Sequence, residues 1–90
     1  MTNSIDQILA ERKKQYGDFT THAEVTQQFK IYMRDFVHAR GTILTYTQWE
    51  ALDMIAHKIG RILNGDPNHR DSWDDIAGYA KLAADRCRDV

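Results

Sequence analysis

The chain has 90 residues, of which 42% are hydrophobic and 28% are charged, a composition typical of one globular domain. Twelve Lys and Arg residues face thirteen Asp and Glu residues, so no strong basic field attracts the protein to nucleic acid. The longest apolar run has three residues, which excludes a transmembrane helix and a membrane partner. A single cysteine and an N-terminus without a signal-peptide pattern predict a cytoplasmic protein.

The first half of the chain predicts two helices, because apolar residues recur there at spacings of three and four. The first helix covers about residues 4–15 and ends before Gly17. The second covers about residues 21–39, with Thr21 and Glu24 spaced as a capping box and Gly41 as its stop. No segment of the chain alternates between apolar and polar residues as a half-buried strand does.

Two more helices are predicted in the second half. The third covers about residues 45–64, capped by Thr45 with Gln48 or by Thr47 with Glu50. The fourth covers about residues 71–88 and carries an apolar, alanine-rich stripe that we expect in the core. Its members are Trp73, Ile76, Ala77, Ala80, Ala83, Ala84 and Cys87. We therefore predict an all-α antiparallel bundle of about four helices, forming one domain over residues 1–90. A chain this short buries little core, so we also expect it to self-associate.

Two groups of acidic residues lie at helical spacing on the third and fourth helices. Glu50 and Asp53 are three residues apart, so their carboxylates lie one turn apart and can share a cation. Asp71, Asp74 and Asp75 lie in the first turn of the fourth helix, where Asp71 also fits as the N-cap. The ordinary alternative for Glu50 and Asp53 is a solvated helix face, and for the first turn of the fourth helix it is capping and the helix dipole. Antiparallel packing places Glu50 and Asp71 at different heights, which is the geometric weakness of a shared metal site.

Basic and aromatic residues near these acids can contact a nucleotide. Lys58 and Arg61 on the third helix, and the basic end of the first helix from Arg12 to Lys14, can meet a phosphate, although routine solvation explains them too. Aromatic rings can stack on a base, and Phe19 among them also fits as an apolar plug over the end of the bundle. These rings are Tyr16, Phe19 and Tyr79.

Two further features are a set of histidines and a second apolar face on the fourth helix. His22, His38 and His69 have no partner spacing and receive no role. Gly78, Tyr79 and Leu82 form a second apolar face on the fourth helix, which fits a second subunit or a ligand cleft.

Two stretches resemble known proteins. The segments ERKKQYGDF and HKIGRILNGDPNHRDSWDDIAGYAKLA are similar to small helical proteins of phages and prophages. The second segment also resembles the MazG-like all-α NTP pyrophosphohydrolases, including phage dATP/dGTP diphosphohydrolases. That family uses Mg²⁺ to hydrolyse nucleoside triphosphates to monophosphate and pyrophosphate. The resemblance implies an oligomer, because members build their site from packed helix pairs.

The family's metal ligands form an E-x-x-E pair on one helix and an E-x-x-D pair on the next. By resemblance, the first pair falls on Glu50 and Asp53, and the second falls on Asp71 and Asp74 or uses Asp75 with Ser72 in the glutamate position. Aspartate replaces glutamate in both pairs, which shortens the reach of each carboxylate by one methylene. Lys58 and Arg61 fall where such proteins place bases that contact phosphate.

Three hypotheses of function follow. In the first, the chain is a Mg²⁺-dependent (d)NTP pyrophosphohydrolase with Glu50, Asp53 and Asp71 as catalytic carboxylates and a nucleotide as substrate. In the second, a non-catalytic phage protein on the same scaffold binds a nucleotide or a host protein, in the host cytoplasm. In the third, the chain is a structural helical oligomer that assembles through Tyr79 and Leu82.

Overall fold

The computed structural model describes residues 4–87, which form four α-helices. These are α1 (Ser4–Tyr16), α2 (Phe19–Arg40), α3 (Tyr46–Asn64) and α4 (Arg70–Ala84). No strand occurs in the described range, so the all-α class predicted from the apolar spacing is confirmed. Within the same range, every helix is too short or too polar to cross a membrane.

Helices α2, α3 and α4 form one layer with α3 in the middle. α3 packs against α2 on one side and against α4 on the other, while α2 and α4 do not pack against each other. α1 joins the layer at the end where α3 stops, and none of its described residues is buried. The molecule is consequently elongated, with extents of 57, 26 and 23 Å.

Hydrogen bonds to the main chain hold α1 onto the end of α3. The Asn64 side-chain amide donates to the carbonyl oxygen of Tyr16 at 3.1 Å and to that of Asp18 at 2.8 Å. The Asp66 N–H donates to the carbonyl oxygen of Gln15 at 2.7 Å. The bonds to Gln15 and Tyr16 satisfy carbonyl groups that the end of α1 leaves without a helical partner, whereas the Asp18 carbonyl also accepts the His22 N–H of α2.

Two glycines allow this close contact. Gly17 has φ of 81°, in the left-handed region that glycine adopts without strain. A Cβ atom at Gly17 would collide with the carbonyl oxygen of Asn64, and one at Gly65 would collide with the carbonyl oxygen of Gln15. The turn between α1 and α2 and the end of α3 therefore pack backbone against backbone.

The start of α2 differs from the prediction. Asp18 is the N-cap, and its carboxylate accepts a hydrogen bond from the Thr21 N–H at 3.2 Å. The capping box predicted for Thr21 and Glu24 is wrong, because α2 begins at Phe19 and places Thr21 inside the first turn. Gly41 ends α2 in the left-handed conformation, as predicted.

The start of α3 matches one of the two predicted caps. The Gln48 N–H donates to Thr45 Oγ1 at 3.1 Å, and the Thr45 N–H donates to Gln48 Oε1 at 2.9 Å. This reciprocal pair is the capping box of Thr45 with Gln48. The alternative box of Thr47 with Glu50 is not formed, since both residues lie inside the helix.

Both ends of α4 correct the prediction. The N-cap is His69 rather than Asp71, because the His69 carbonyl already accepts the Ser72 N–H at 3.3 Å. The helix ends at Ala84 rather than near residue 88, because the next N–H groups bond three residues back in a tighter turn, as Cys87 does to Ala84 at 3.2 Å. Residues 88–90 lie outside the described range.

The predicted core stripe of α4 is also placed wrongly. Trp73 is 54% exposed, and Ala80 and Cys87 are exposed, whereas Ser72 is buried against α3. The reason is that α4 lies beside α3 instead of covering it, so the stripe points along one broad side of the layer. Among the described hydrophobic residues only Ala51 and Ala56 are buried.

The layer has two broad faces of different character. On α3, Gly60 faces α2 and Lys58 faces α4, so the helical period leaves two sides of α3 uncovered. One side, together with neighbouring residues of α2 and α4, forms what we name the apolar face. The opposite side, which carries His57 and Arg61, we name the pocket face. The apolar face is defined by Phe29, Phe36, Leu52, Ile59, Trp73 and Ile76.

Candidate functional site

A pocket opens on the pocket face where α1, α2 and α3 meet, with a volume of about 410 Å³. The C-terminal half of α1, the first turn of α2 and the last turns of α3 supply its wall. The turn between α1 and α2, at Gly17 and Asp18, completes it. The side chains of the wall are Leu9, Arg12, Lys13, Tyr16, Phe19, His22, His57 and Arg61.

Arg61 and Tyr16 form a stacked pair in this wall. The Arg61 guanidinium lies over the Tyr16 ring, 4.0 Å from its centroid. The Tyr16 hydroxyl lies 3.3 Å from His69 Nε2, and the two rings meet edge to face at 5.4 Å. Stacking on an aromatic ring orients the planar guanidinium and leaves its edge N–H groups available to a planar anion. The pair therefore presents a fixed donor to the pocket.

The pocket carries an excess of positive charge. Arg12, Lys13 and Arg61 line it, and the ion pairs between residues 4 and 87 involve none of these three side chains. Asp18 is the one carboxylate in the wall, and it is engaged as the N-cap of α2. Concave surfaces lined by unpaired basic groups concentrate anions. The arrangement suits a phosphorylated ligand.

Two histidines from different helices meet at the back of the pocket. His22 Nε2 lies 3.2 Å from His57 Nδ1, and the rings are nearly perpendicular, with centroids 4.6 Å apart. Thr26 Oγ1 lies 3.4 Å from the same His22 nitrogen. His22 is 5% exposed, and its Nδ1 has no hydrogen-bond partner among the described residues. The close approach of α2 to α3 at Gly60 makes room for the His22 ring.

Both rings are neutral at pH 7. Burial lowers the pKa of His57 to about 4, and the positive charge of Arg61 is the next cause of this lowering. Burial also lowers the pKa of His22, although the Gly60 backbone beside the ring opposes this in part. Because a neutral imidazole has one N–H and one acceptor nitrogen, one ring donates to the other across the 3.2 Å contact.

This histidine pair was not predicted from the sequence. His22 and His57 are 35 residues apart, and no local spacing joins them. The available signal was that His22 and Thr26, and His57 and Arg61, are each four residues apart and so share a helix side. Neither spacing says that α2 and α3 bring these sides together. Phe19, predicted as a plug over the end of the bundle, is instead 77% exposed at the pocket.

Three of the five carboxylates predicted as metal ligands on α3 and α4 are engaged with Lys or Arg side chains. Asp53 accepts two hydrogen bonds from the Arg34 guanidinium, at 3.1 and 3.2 Å. Asp75 lies 3.0 Å from the ammonium group of Lys58, which is itself buried. Asp74 lies 3.1 Å from the exposed guanidinium of Arg70. Each of these three carboxylates thus has its own cationic partner.

The two acid groups do not meet within one chain. Glu50 lies beside a shallow hollow lined by Tyr79 and Leu82, near the far end of α4. The Lys58–Asp75 contact fixes the alignment of the two helices, and Glu50 lies eight residues, or about 12 Å, before Lys58 on α3. Between residues 4 and 87, no group of three or more Asp, Glu, His or Cys side chains is placed to hold a metal ion. The carboxylates of one chain therefore do not fit a shared Mg²⁺ site.

The residues predicted to contact a nucleotide separate into two sets. Arg12, Tyr16 and Arg61 all line the basic pocket. Lys58 points to Asp75 instead, and Tyr79 lies in α4 beside other hollows. Asp71 has no place in the pocket wall, but its carboxylate lies 3.8 Å from His69 Nε2, the nitrogen that also contacts Tyr16.

A family model for a domain of unknown function, DUF6378, matches residues 1–87 and so covers nearly the whole chain. The chain belongs to the DUF6378 family. No curated protein matches this DUF6378 domain. No solved structure matches it either. The family model gives no activity, so the arguments on function below rest on the pocket and its surroundings.

Proposed function

We propose that this DUF6378 domain binds a nucleotide through its phosphates in the basic pocket. The observation that supports this most is that Arg12, Lys13 and Arg61 line one pocket without engaging any described carboxylate in an ion pair. Phosphate groups are the common ligands of such fixed guanidinium and ammonium donors.

The aromatic residues of the pocket support a nucleotide over inorganic phosphate. Phe19 is 77% exposed at the pocket, and Tyr16 already stacks with a planar cation on one side. Flat, exposed rings bind bases by stacking, which contributes roughly 1–3 kcal/mol per base. The base lies over Phe19 in this proposal, and the phosphates lie toward Arg12 and Arg61.

Substitution of Arg61 tests the proposal. Binding of a panel of ribo- and deoxynucleoside triphosphates is measured by calorimetry for the wild type, for Arg61→Gln and for the control Lys81→Gln, which removes one positive charge on α4 outside the pocket wall. We expect Arg61→Gln to weaken binding roughly 10- to 150-fold, because it removes a charged hydrogen bond worth roughly 1.5–3 kcal/mol. Equal affinities for all three proteins would contradict the proposal, as would no binding by the wild type.

The second candidate is the pyrophosphohydrolase activity implied by the resemblance. The observation that favours it is that Asp71 and Asp75 border the pocket face, with Asp71 joined to Tyr16 through His69 and Asp75 joined to Lys58. In this proposal the substrate is a (d)NTP, and the products are monophosphate and pyrophosphate.

The same nucleotide panel tests hydrolysis when it is incubated with Mg²⁺ or Mn²⁺ and the products are separated. Monophosphate and pyrophosphate from the wild type, with loss of both in Asp71→Asn and Glu50→Gln but not in Asp85→Asn, would support the enzyme. Intact triphosphates that nevertheless bind would support the non-catalytic protein. Neither binding nor turnover would favour a host protein as ligand, in the cytoplasm of a phage-infected cell.

A further inference from the structure

The apolar face is too extensive for an isolated chain. Phe29 and Phe36 on α2 and Leu52 and Ile59 on α3 are all at least partly exposed. No described helix packs over them, since α1 joins the layer on the pocket side, at Arg61. Stable domains bury such faces against a second layer of secondary structure. Residues 4–87 supply no second layer over this face.

The dimensions of the chain agree with a missing layer. The accessible surface is 7092 Å², whereas a compact monomer of 10.5 kDa exposes about 5,400 Å². The excess of about 1,700 Å² is twice the roughly 800 Å² that each partner buries in an interface of standard size. The radius of gyration is 15.6 Å, against about 12 Å for a compact domain of this length. An interface of the obligate class is large enough to bury the excess area.

The chemistry of the face points to a second copy of this chain. Its centre, around Leu52, Ile59 and Ile76, carries no charged side chain, so it offers nothing for a partner of complementary charge to recognise. The bulky ring of Phe36 lies on one edge of the face, and the small Ala80 lies on the other edge. The two edges are therefore complementary in volume. A two-fold axis running along α3 brings one edge of each copy onto the opposite edge of its partner.

We propose that two copies of the chain pack face to face through the apolar face, so that each copy supplies the second layer of the other. The pocket face of each copy stays outward. This arrangement differs from an assembly through Tyr79 and Leu82, which belong to the hollows of the pocket face.

Two matched substitutions on α2 test the proposal. Phe36 is 51% exposed on the apolar face, and Ile31 is 52% exposed on the outer edge of the same helix. Light scattering at 100 µM protein gives the mass, and far-UV circular dichroism gives the helix content. We expect 21 kDa for the wild type, twice the 10.5 kDa of one chain, and the same for Ile31→Glu. We expect about half that mass for Phe36→Glu.

Loss of folding in Phe36→Glu alone also supports the dimer, because a half-exposed position in a monomer would accept Glu as Ile31 does. A denaturation midpoint that rises with wild-type concentration between 1 and 100 µM supports it independently of any variant. A wild-type mass of 10.5 kDa at 100 µM would overturn the proposal. So would a folded Phe36→Glu dimer, or a dimer that Leu82→Glu splits and Phe36→Glu does not.

Discussion

At the scale of single residues, the His22–His57 contact is the feature with the clearest measurable effect. A histidine in the unfolded chain titrates near pH 6.5, whereas the pKa of folded His57 is about 4. Between these two pH values the unfolded state binds a proton that the folded state does not. The free energy of unfolding therefore falls as the pH falls through this window, and it is constant with respect to His57 above it.

We predict that the wild type loses about 1–3 kcal/mol of stability between pH 7 and pH 4.5 through His57. His57→Asn keeps a polar group beside His22 but removes the titration, so its stability should depend much less on pH. Urea denaturation at both pH values measures the difference. His38→Asn, an exposed position outside the pocket, is the control and should behave as the wild type does. The same pH dependence in His57→Asn would show that other groups cause it.

The residue scale also marks a limit of sequence reasoning about the site. Arg12, Tyr16 and Arg61 were predicted as nucleotide contacts, and they lie together in one pocket, because a basic helix end and a polar helix side are visible in the sequence. The histidine pair was not visible. Its two members depend on the approach of α2 to α3, which is a tertiary contact without local spacing.

At the scale of helices, Gly60 decides how closely α2 packs against α3. A Cβ atom at Gly60 would lie 2.6 Å from Thr26 Oγ1 and 3.0 Å from the His22 ring. Both neighbours are buried, so neither can move far. Gly78 on α4 is the opposite case, since a Cβ atom there would have no neighbour within 4 Å.

We predict opposite signs for the two glycine-to-alanine substitutions. Gly60→Ala should lower the free energy of unfolding by about 1–3 kcal/mol through overpacking of the α2–α3 contact. Gly78→Ala should raise it by roughly 0.5–1 kcal/mol, because alanine restricts the unfolded chain and favours the helix. Urea denaturation at pH 7 measures both. A Gly60→Ala protein as stable as the wild type would mean that α2 and α3 can separate without loss.

The sequence positions of the helices were predictable, whereas the side of each helix that is buried was not. The spacing around α3, and the capping box of Thr45 with Gln48, depend on near neighbours in sequence and are confirmed. The stripe on α4 depends on where α4 lies relative to α3. An alanine-rich side with Trp73 and Ala80 has the same pattern whether it faces the core of its own chain or another chain.

At the scale of the whole molecule, the proposed dimer makes a prediction about shape. One chain measures 57 by 26 by 23 Å. Face-to-face packing doubles the thickness of the layer and leaves its length almost unchanged. Small-angle X-ray scattering should therefore give a doubled mass with a maximum dimension close to that of one chain. A maximum dimension near 100 Å, about twice the length of one chain, would indicate an end-to-end assembly instead.

The contact between the α1–α2 turn and the end of α3 limits how this sequence can evolve. A side chain at Gly17 or Gly65 would collide with main-chain atoms of the neighbouring segment. A second point mutation changes only a side chain, so it cannot remove this collision. The collision is relieved only if the two segments move apart, and an inserted or deleted loop residue can allow this movement. Divergence at this junction should consequently proceed through changes in loop length, while the helix surfaces on either side drift by ordinary substitution.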